Sequence, residues 1–313
     1  MIAGSVHRER FEILARRIEP GSRLRRTWEL KGGVSAQVTA FEIERADGGA
    51  ERLVVRRHGA ADLRGNPQLA TDEFRLLELL ESAGVAVPTP RYLDPIGELF
   101  SIPCLVVDYV DGEPGRAPAD EAEFVAQFAT ALAEIHRVDC SAADVSYLPE
   151  RAEIPAAARR PGESADERRI RELLESALPL PRRNRSALLH GDFWPGNTLW
   201  KDGRLVAVID WEDAAIGDPL ADVANARLEL LWALGIEAMH EFTGRYASTV
   251  SGVDVEDLPY WDLWADRRLA GRTPEWGLDA VTEKAMRAGH EAFVAQALEE
   301  LSARAWSLPR GER

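Results

Sequence analysis

Two short stretches, SALLHGDFWPGNTLW (186–200) and LVAVIDWEDAAIGDP (205–219), interrupt an otherwise helical half of the chain and constrain its fold more than any other feature. Each holds an apolar, strand-like run that ends in polar residues: Asp192 and Asn197 in the first, Asp210 in the second. The turn Lys201-Asp202-Gly203 joins them. Burying polar side chains costs free energy unless they have a partner, so their concentration at strand ends and tight loops marks a site. Three oxygen-bearing side chains placed this way can converge on a hard cation such as Mg²⁺, which keeps its remaining positions for water or phosphate oxygens.

The surroundings of this island divide in two. Over the first hundred residues the pattern is mostly strands and turns. The segments SAQVTAFEIER and AERLVVRRHG flank Asp47-Gly48-Gly49 as a hairpin. A helix is expected over TDEFRLLELLESAGV, closed by Gly84, and CLVVDYVDGEP reads as a buried strand entering a turn. From Asp120 onward long amphipathic helices dominate, beginning with EAEFVAQFATALAEIHRV. A chain of 313 residues exceeds what one core comfortably supports. The expectation is therefore an α+β, bilobal molecule, with a small β-rich N-terminal lobe at 1–110 and a larger, mainly helical C-terminal lobe at 111–313.

Charge and composition exclude several classes of function. The formal net charge is −15, and residues 211–313 alone carry 19 acids against 10 bases. No basic stripe is visible, which argues against nucleic-acid binding. No signal-like apolar segment follows the N-terminus, no run is long enough to span a membrane, and the two cysteines, Cys104 and Cys140, lack ligand spacing. A cytoplasmic protein with reduced thiols and no membrane partner is expected.

HGDFWPGN followed by VIDWEDAAIGDP resembles the aminoglycoside phosphotransferase family, the small-molecule branch of the protein-kinase-like fold. The resemblance runs from LKGGVSAQV to the helical C-terminal part. It implies ATP or GTP as phosphate donor, Mg²⁺ as cofactor and a small-molecule hydroxyl as acceptor. Asp192 then corresponds to the catalytic carboxylate, Asn197 and Asp210 to the metal ligands, and His190 to a bracing residue. Gly32, Gly33 and Ser35 correspond to the turn over the phosphates, Arg56 to the phosphate-gripping cation and Glu73 to its partner acid. Asp108, Tyr109 and Val110 correspond to the hinge that receives the base. In GDPLAD, Asp218 is expected to support the metal loop and Asp222 to cap or brace the following helix. The sequence has no GxGxxG, HRD or DFG, and Asp218 follows Asp210 too soon for a long activation loop, so no protein substrate is expected.

Acceptor identity is left open between an aminoglycoside, with antibiotic resistance as its consequence, a macrolide, and a housekeeping metabolite. PYWDLWADRR gathers Asp262, Trp264 and Asp266 into a candidate pocket for a cationic acceptor, although helical spacing equally suits a core face.

Overall fold

The structure, a computed structural model, describes residues 2–30, 36–115, 120–141, 143–151, 153–154, 159, 163–269 and 279–307. Gly32, Gly33 and Ser35, named above for the phosphate turn, lie outside them. The chain divides into two compact units: Met1–Gly112 with Val206–Glu212, and Glu113–Leu205 with Asp213–Arg313. Against the expected division at 110/111, the difference is that the strand end bearing Asp210 belongs to the first unit. The amide of Val208 donates to the Ala86 carbonyl at 2.8 Å, which ties that segment in.

The first unit is a five-stranded sheet with helices on its faces. In chain order it holds α1 (Ile2–Ile18), β1 (Arg23–Glu29), β2 (Ala36–Glu44), β3 (Ala50–His58), α2 (Ala60–Gly65), α3 (Leu69–Ser82), β4 (Pro90–Asp94) and β5 (Cys104–Asp108). The strand order is β1-β2-β3-β5-β4, with every pairing antiparallel. Alternation along the strands decides which residues meet which helix. Phe41, Ile43, Leu53, Val55 and Val106 pack with Phe11 and Leu14 of α1, and the Phe11 ring lies 5.4 Å from Phe41 and 5.2 Å from Phe100. The opposite parity of β3, Val54, Arg56 and His58, faces α3, whose Glu73 meets both polar residues.

The second unit is helical around two small sheets. It contains β6 (Glu113–Pro114), α4 (Glu121–His136), β7 (Glu150–Arg151), α5 (Ala165–Ala177), β8 (Ala187–Leu189) and β9 (Thr198–Lys201). The strand β10 (Arg204–Val208) then runs from this unit into the first. The remaining elements are β11 (Ala215–Gly217), α6 (Leu220–Leu234), α7 (Ile236–Thr249), α8 (Leu258–Leu269) and α9 (Ala280–Ser307). Strand β11 sits between β7, parallel to it, and β8, antiparallel, and β6 pairs with β9. Helix α6 is buried along nearly its whole length, Asp222, Asn225 and Arg227 included. A helix covered on all sides must supply each polar side chain with a partner, and the partners of these three define the surroundings of the site. Aromatic contacts fill the space between α4, α7 and the loop after β8: Phe128 lies 4.4 Å from Phe193 and 5.7 Å from Phe242.

Candidate active site

Each unit carries one cluster of charged residues. In the first, Arg56 is almost wholly buried at the centre of an acidic set. Its Nη2 donates to Asp210 Oδ1 at 2.7 Å, its Nε lies 3.2 Å from Glu73 Oε1, and Glu212 Oε2 is 3.7 Å from Nη2. Burial opposes the charge on Arg56, but Glu73 and Asp210 outweigh it and hold its pKa above the ordinary value. Glu73 is lowered despite its own burial, chiefly by Arg56 and then by His58. Glu78, on the same helix, is exposed. Arg57 points to the other face, donating to Thr39 Oγ1 at 2.9 Å and lying over the Phe100 ring at 4.9 Å.

His58 belongs to this cluster although its sequence context gave no reason to single it out. Its ring nitrogens lie 2.9 Å from Glu73 Oε2 and 3.4 Å from Glu212 Oε2. Burial disfavours the imidazolium, but contacts with Glu212 and Glu73 prevail and raise the pKa to about 9. The available signal was parity: His58 shares its strand face with Arg56, two positions away.

Asp210 adopts a left-handed backbone with φ 71°. That conformation is uncommon outside glycine, though aspartate tolerates it better than most residues. It turns the side chain at the end of β10 onto Arg56. At the expected hinge, the amides of Asp108 and Tyr109 are engaged by the carbonyls of Thr89 and Arg52 at 2.9 and 3.0 Å. Those two donors are therefore spent on the fold, and Val110 is the hinge residue whose amide makes no backbone hydrogen bond among the described residues.

In the second unit, β8 delivers the segment His190–Asn197. Its placement depends on Asp222 of α6, whose carboxylate accepts from the amides of His190 at 2.6 Å and Gly191 at 2.9 Å. Asp222 therefore braces the loop after β8, a correction to the expected role on its own helix. His136 Nε2 lies 3.3 Å from the same carboxylate, and Tyr246 Oη is 2.6 Å from His136 Nδ1. Asp218 instead accepts from the Leu220 amide and from Asn184 Nδ2. His190 is fully buried, and its Nδ1 accepts from the Asp192 amide at 3.3 Å, as befits a brace. Gly191 has φ 83°, and a Cβ there would fall 2.0 Å from the Asp213 carbonyl oxygen, so both its conformation and its space require glycine.

The side chain of Asp192 is 39% exposed, leaving it accessible to a ligand. Arg268 of α8 donates to Asp192 Oδ1 at 2.8 Å and to the Gly191 carbonyl at 2.7 Å. Asn225 accepts from Arg268 at 3.1 Å and donates to the Phe193 carbonyl at 3.2 Å. Asn197 Nδ2 donates to the Asp192 carbonyl at 2.9 Å and to Asp192 Oδ2 at 3.3 Å, so its amide is oriented by the loop it belongs to. One turn beyond Asn225, Glu229 is half-buried, and burial together with the charge of Asp192 pushes its pKa up to about 8. Arg268 and Glu229 escaped sequence reasoning because each comes to Asp192 through tertiary packing of a distant helix.

The residues expected to contact a cationic acceptor fare differently. Asp262 is buried and clamped by Arg227 through contacts of 2.9–3.2 Å, with Gln296 donating at 3.1 Å. Its charge is consumed inside the helical core, which corrects the expectation. Asp266 is also buried and pairs with His290. Trp264 packs edge-on against Trp261 at 5.7 Å and lies 5.9 Å from the Arg268 guanidinium.

Comparison with known proteins identifies the family and the fold. The model of the phosphotransferase enzyme family matches residues 29–249, a span holding both clusters except for Arg268. The chain belongs to that family. Among curated proteins it is 29% identical over 194 residues to acyl-CoA dehydrogenase family member 10 of Mus musculus, a match covering 56% of this chain and 18% of that protein. The chain thus spans only about a fifth of the length of this relative. Among solved structures, it shares its fold with a putative aminoglycoside phosphotransferase from Ralstonia eutropha. The TM-score is 0.68 at 17% identity, covering 94% of this chain and 98% of that one. The same fold is found in a thermostable mutant of an aminoglycoside phosphotransferase in ternary complex with AMP-PNP and hygromycin B. There the TM-score is 0.63 at 19% identity, with 87% and 94% covered. The fold is protein-kinase-like, of the α+β class.

Proposed function

We propose that this family member transfers the γ-phosphoryl group of ATP or GTP to a hydroxyl of a small molecule, with Mg²⁺ as cofactor. The observation that carries this reading is the state of Asp192: an accessible carboxylate gripped by Arg268 and Asn197, on a loop whose backbone is fixed by Asp222. A carboxylate held in one orientation can align an acceptor hydroxyl and take its proton as the oxygen attacks phosphorus. Arg56 is the group suited to donor phosphate oxygens, since its planar fork stays charged and is held in place by Glu73. A nucleotide donor is supported by the relative that binds AMP-PNP.

The residues present fit a divalent cation. Asp210 offers a carboxylate at a strand end and Asn197 an amide oxygen, its nitrogen being engaged by Asp192, and such oxygen donors suit a hard ion. When bound, Mg²⁺ would neutralise charge developing on the phosphates. Asn197 and Asp210 would hold it, and Arg56 steadies Asp210 beforehand.

The acceptor is an antibiotic or a metabolite, since the curated relatives include antibiotic kinases as well as proteins carrying a dehydrogenase family name. Small-molecule hydroxyls remain the acceptor class in either case, with no role for nucleic acid, membrane or protein substrates, and a cytoplasmic setting suits ATP or GTP as donor. Among the described residues no helix is long and apolar enough to cross a membrane.

The test is ADP or GDP release with Mg-nucleotide against a panel of hydroxylated metabolites, aminoglycosides and macrolides. Asp192→Ala should abolish acceptor-dependent release, by about 10³-fold or more, while leaving nucleotide affinity intact. Near-normal turnover in that variant would remove Asp192 from the reaction.

A further inference from the structure

The α6 face that braces the catalytic loop continues past it. Asp222, Asn225, Glu229 and Trp232 are spaced by three or four residues and so form one stripe. The first two hold the loop around Asp192, and Glu229 lies close enough to Asp192 for their charges to interact. Trp232, about 10 Å beyond Asn225 along the helix axis, enters the wall of a cavity of about 590 Å³.

Helices α5, α6, α8 and α9 line this cavity. Its apolar surface comes from Ile170, Trp232, Met286, Val294 and Leu298, and Met286, His290, Val294 and Leu298 recur every fourth residue as one stripe of α9. The His290 ring stacks on Trp232 with 6.0 Å between centroids and 14° between planes. The buried acid in the wall, Asp266, is paired with that same histidine. Charges of both signs also line it: Asp166, Glu167 and Glu291 beside Arg169 and Arg287, the last of these held by Glu283. Such a volume suits a small organic molecule, and its lining offers ring and hydrocarbon contacts.

We propose that this cavity seats the apolar body of the phosphate acceptor, so that the substrates are hydroxylated molecules carrying a ring or hydrocarbon portion beyond the reacting hydroxyl, not polycationic sugars. The inference rests on Asp192 acting on an acceptor hydroxyl. Glu229 lies between Asn225 and Trp232 on the same stripe of α6. With its pKa near neutrality it presents a protonated carboxyl for part of the time, a hydrogen-bonding group instead of a fixed anion.

Calorimetric titration of the full chain with 6-phenylhexan-1-ol and with kanamycin, in the presence of Mg-AMP-PNP, tests the idea. The aryl alcohol should bind the wild type more tightly than kanamycin does. Val294→Glu and Leu298→Glu should each weaken it by about tenfold or more, because a carboxylate is being placed against apolar surface, with Mg-AMP-PNP affinity retained as the check on folding. Should either charged variant fail to fold, Ala295→Phe fills the cavity without adding charge and must produce the same loss. No measurable binding of the aryl alcohol by the wild type, equal binding in the variants, or tighter binding of kanamycin overturns the proposal. ADP release measured in parallel separates the two readings. Transfer to alcohols that is insensitive to Val294→Glu defeats the cavity alone, whereas cavity-dependent binding with no transfer to any alcohol defeats the phosphotransferase reading.

Discussion

At the scale of single residues, His58 and Gly191 show how much depends on contacts a few ångströms long. His58 is held between Glu73 and Glu212 with its pKa raised to about 9, above the 6.5 of an unfolded histidine. A histidine raised in the folded state stabilises the protein fully below its unfolded pKa, and that contribution is lost as pH rises through the folded value. Melting temperature should therefore fall by several degrees between about pH 7 and pH 10. His58→Gln should lower it at pH 7 and flatten the decline; an unaltered slope in the variant would show the imidazolium to be absent. Gly191 makes the opposite kind of demand. A Cβ would collide with the Asp213 carbonyl, so Gly191→Ala must displace the backbone next to Asp192. Misplacing a reacting group by about 1 Å costs about 10²-fold. Turnover should drop by that order while the helical content, measured by circular dichroism, stays unchanged.

At the scale of elements, α6 is the support on which the second unit's chemistry is arranged. It holds the catalytic loop through Asp222 and Asn225 and ties itself to α8 through Arg227 and Asp262. Burial pushes Asp262 up to about 6 even with Arg227 beside it, so the pair contributes geometry more than net stability. Removing one partner is another matter, since the survivor is left charged and buried. Arg227→Ala should destabilise the protein by about 3–5 kcal/mol in denaturant titrations, and Arg227→Met with Asp262→Leu by much less. Equal losses in the single and double variants would show that packing, not charge, sets the cost. Most elements were legible in the sequence because their apolar periodicity is strong: the β2–β3 hairpin, α3 closed by Gly84, β5, and α4 with Asp120 at its N-cap. Helix α5 was not, since its exposed surface is crowded with charge and its buried residues are Ile170 and Leu174 alone. Strand β4 was hidden by Pro88 and Pro90, which a sheet tolerates at the first position of an edge strand.

At the scale of the whole molecule, the charged cluster around Arg56 lies in one compact unit and Asp192 with its partners in the other. Of the two residues proposed to hold the cation, Asp210 belongs to the first unit and Asn197 to the second. Under the proposed function, transfer depends on a cation as well as on the protein. Removal of divalent ions with EDTA should abolish transfer and weaken nucleotide binding, with Mg²⁺ restoring both. Asp210→Ala should remove the Mg²⁺ dependence of nucleotide affinity measured by equilibrium titration, and an undiminished dependence would place the ion on other ligands.

The sequence alone determined the family and the α+β plan, and through its resemblance to that family's motifs it singled out Asp192, Asn197, Arg56, Glu73 and Asp210 as candidates. Tertiary structure decided what surrounds them. Arg268 and Glu229 reach Asp192 from helices 76 and 37 positions along the chain, a convergence no local pattern encodes. The structure also decided the fate of Asp262: its helical spacing suited either a ligand site or a core face, and only packing against Arg227 assigned it to the core. A side chain's type and period are written in the chain, but whether its charge is spent inside the protein or offered to a ligand depends on which distant groups the fold brings within hydrogen-bonding reach.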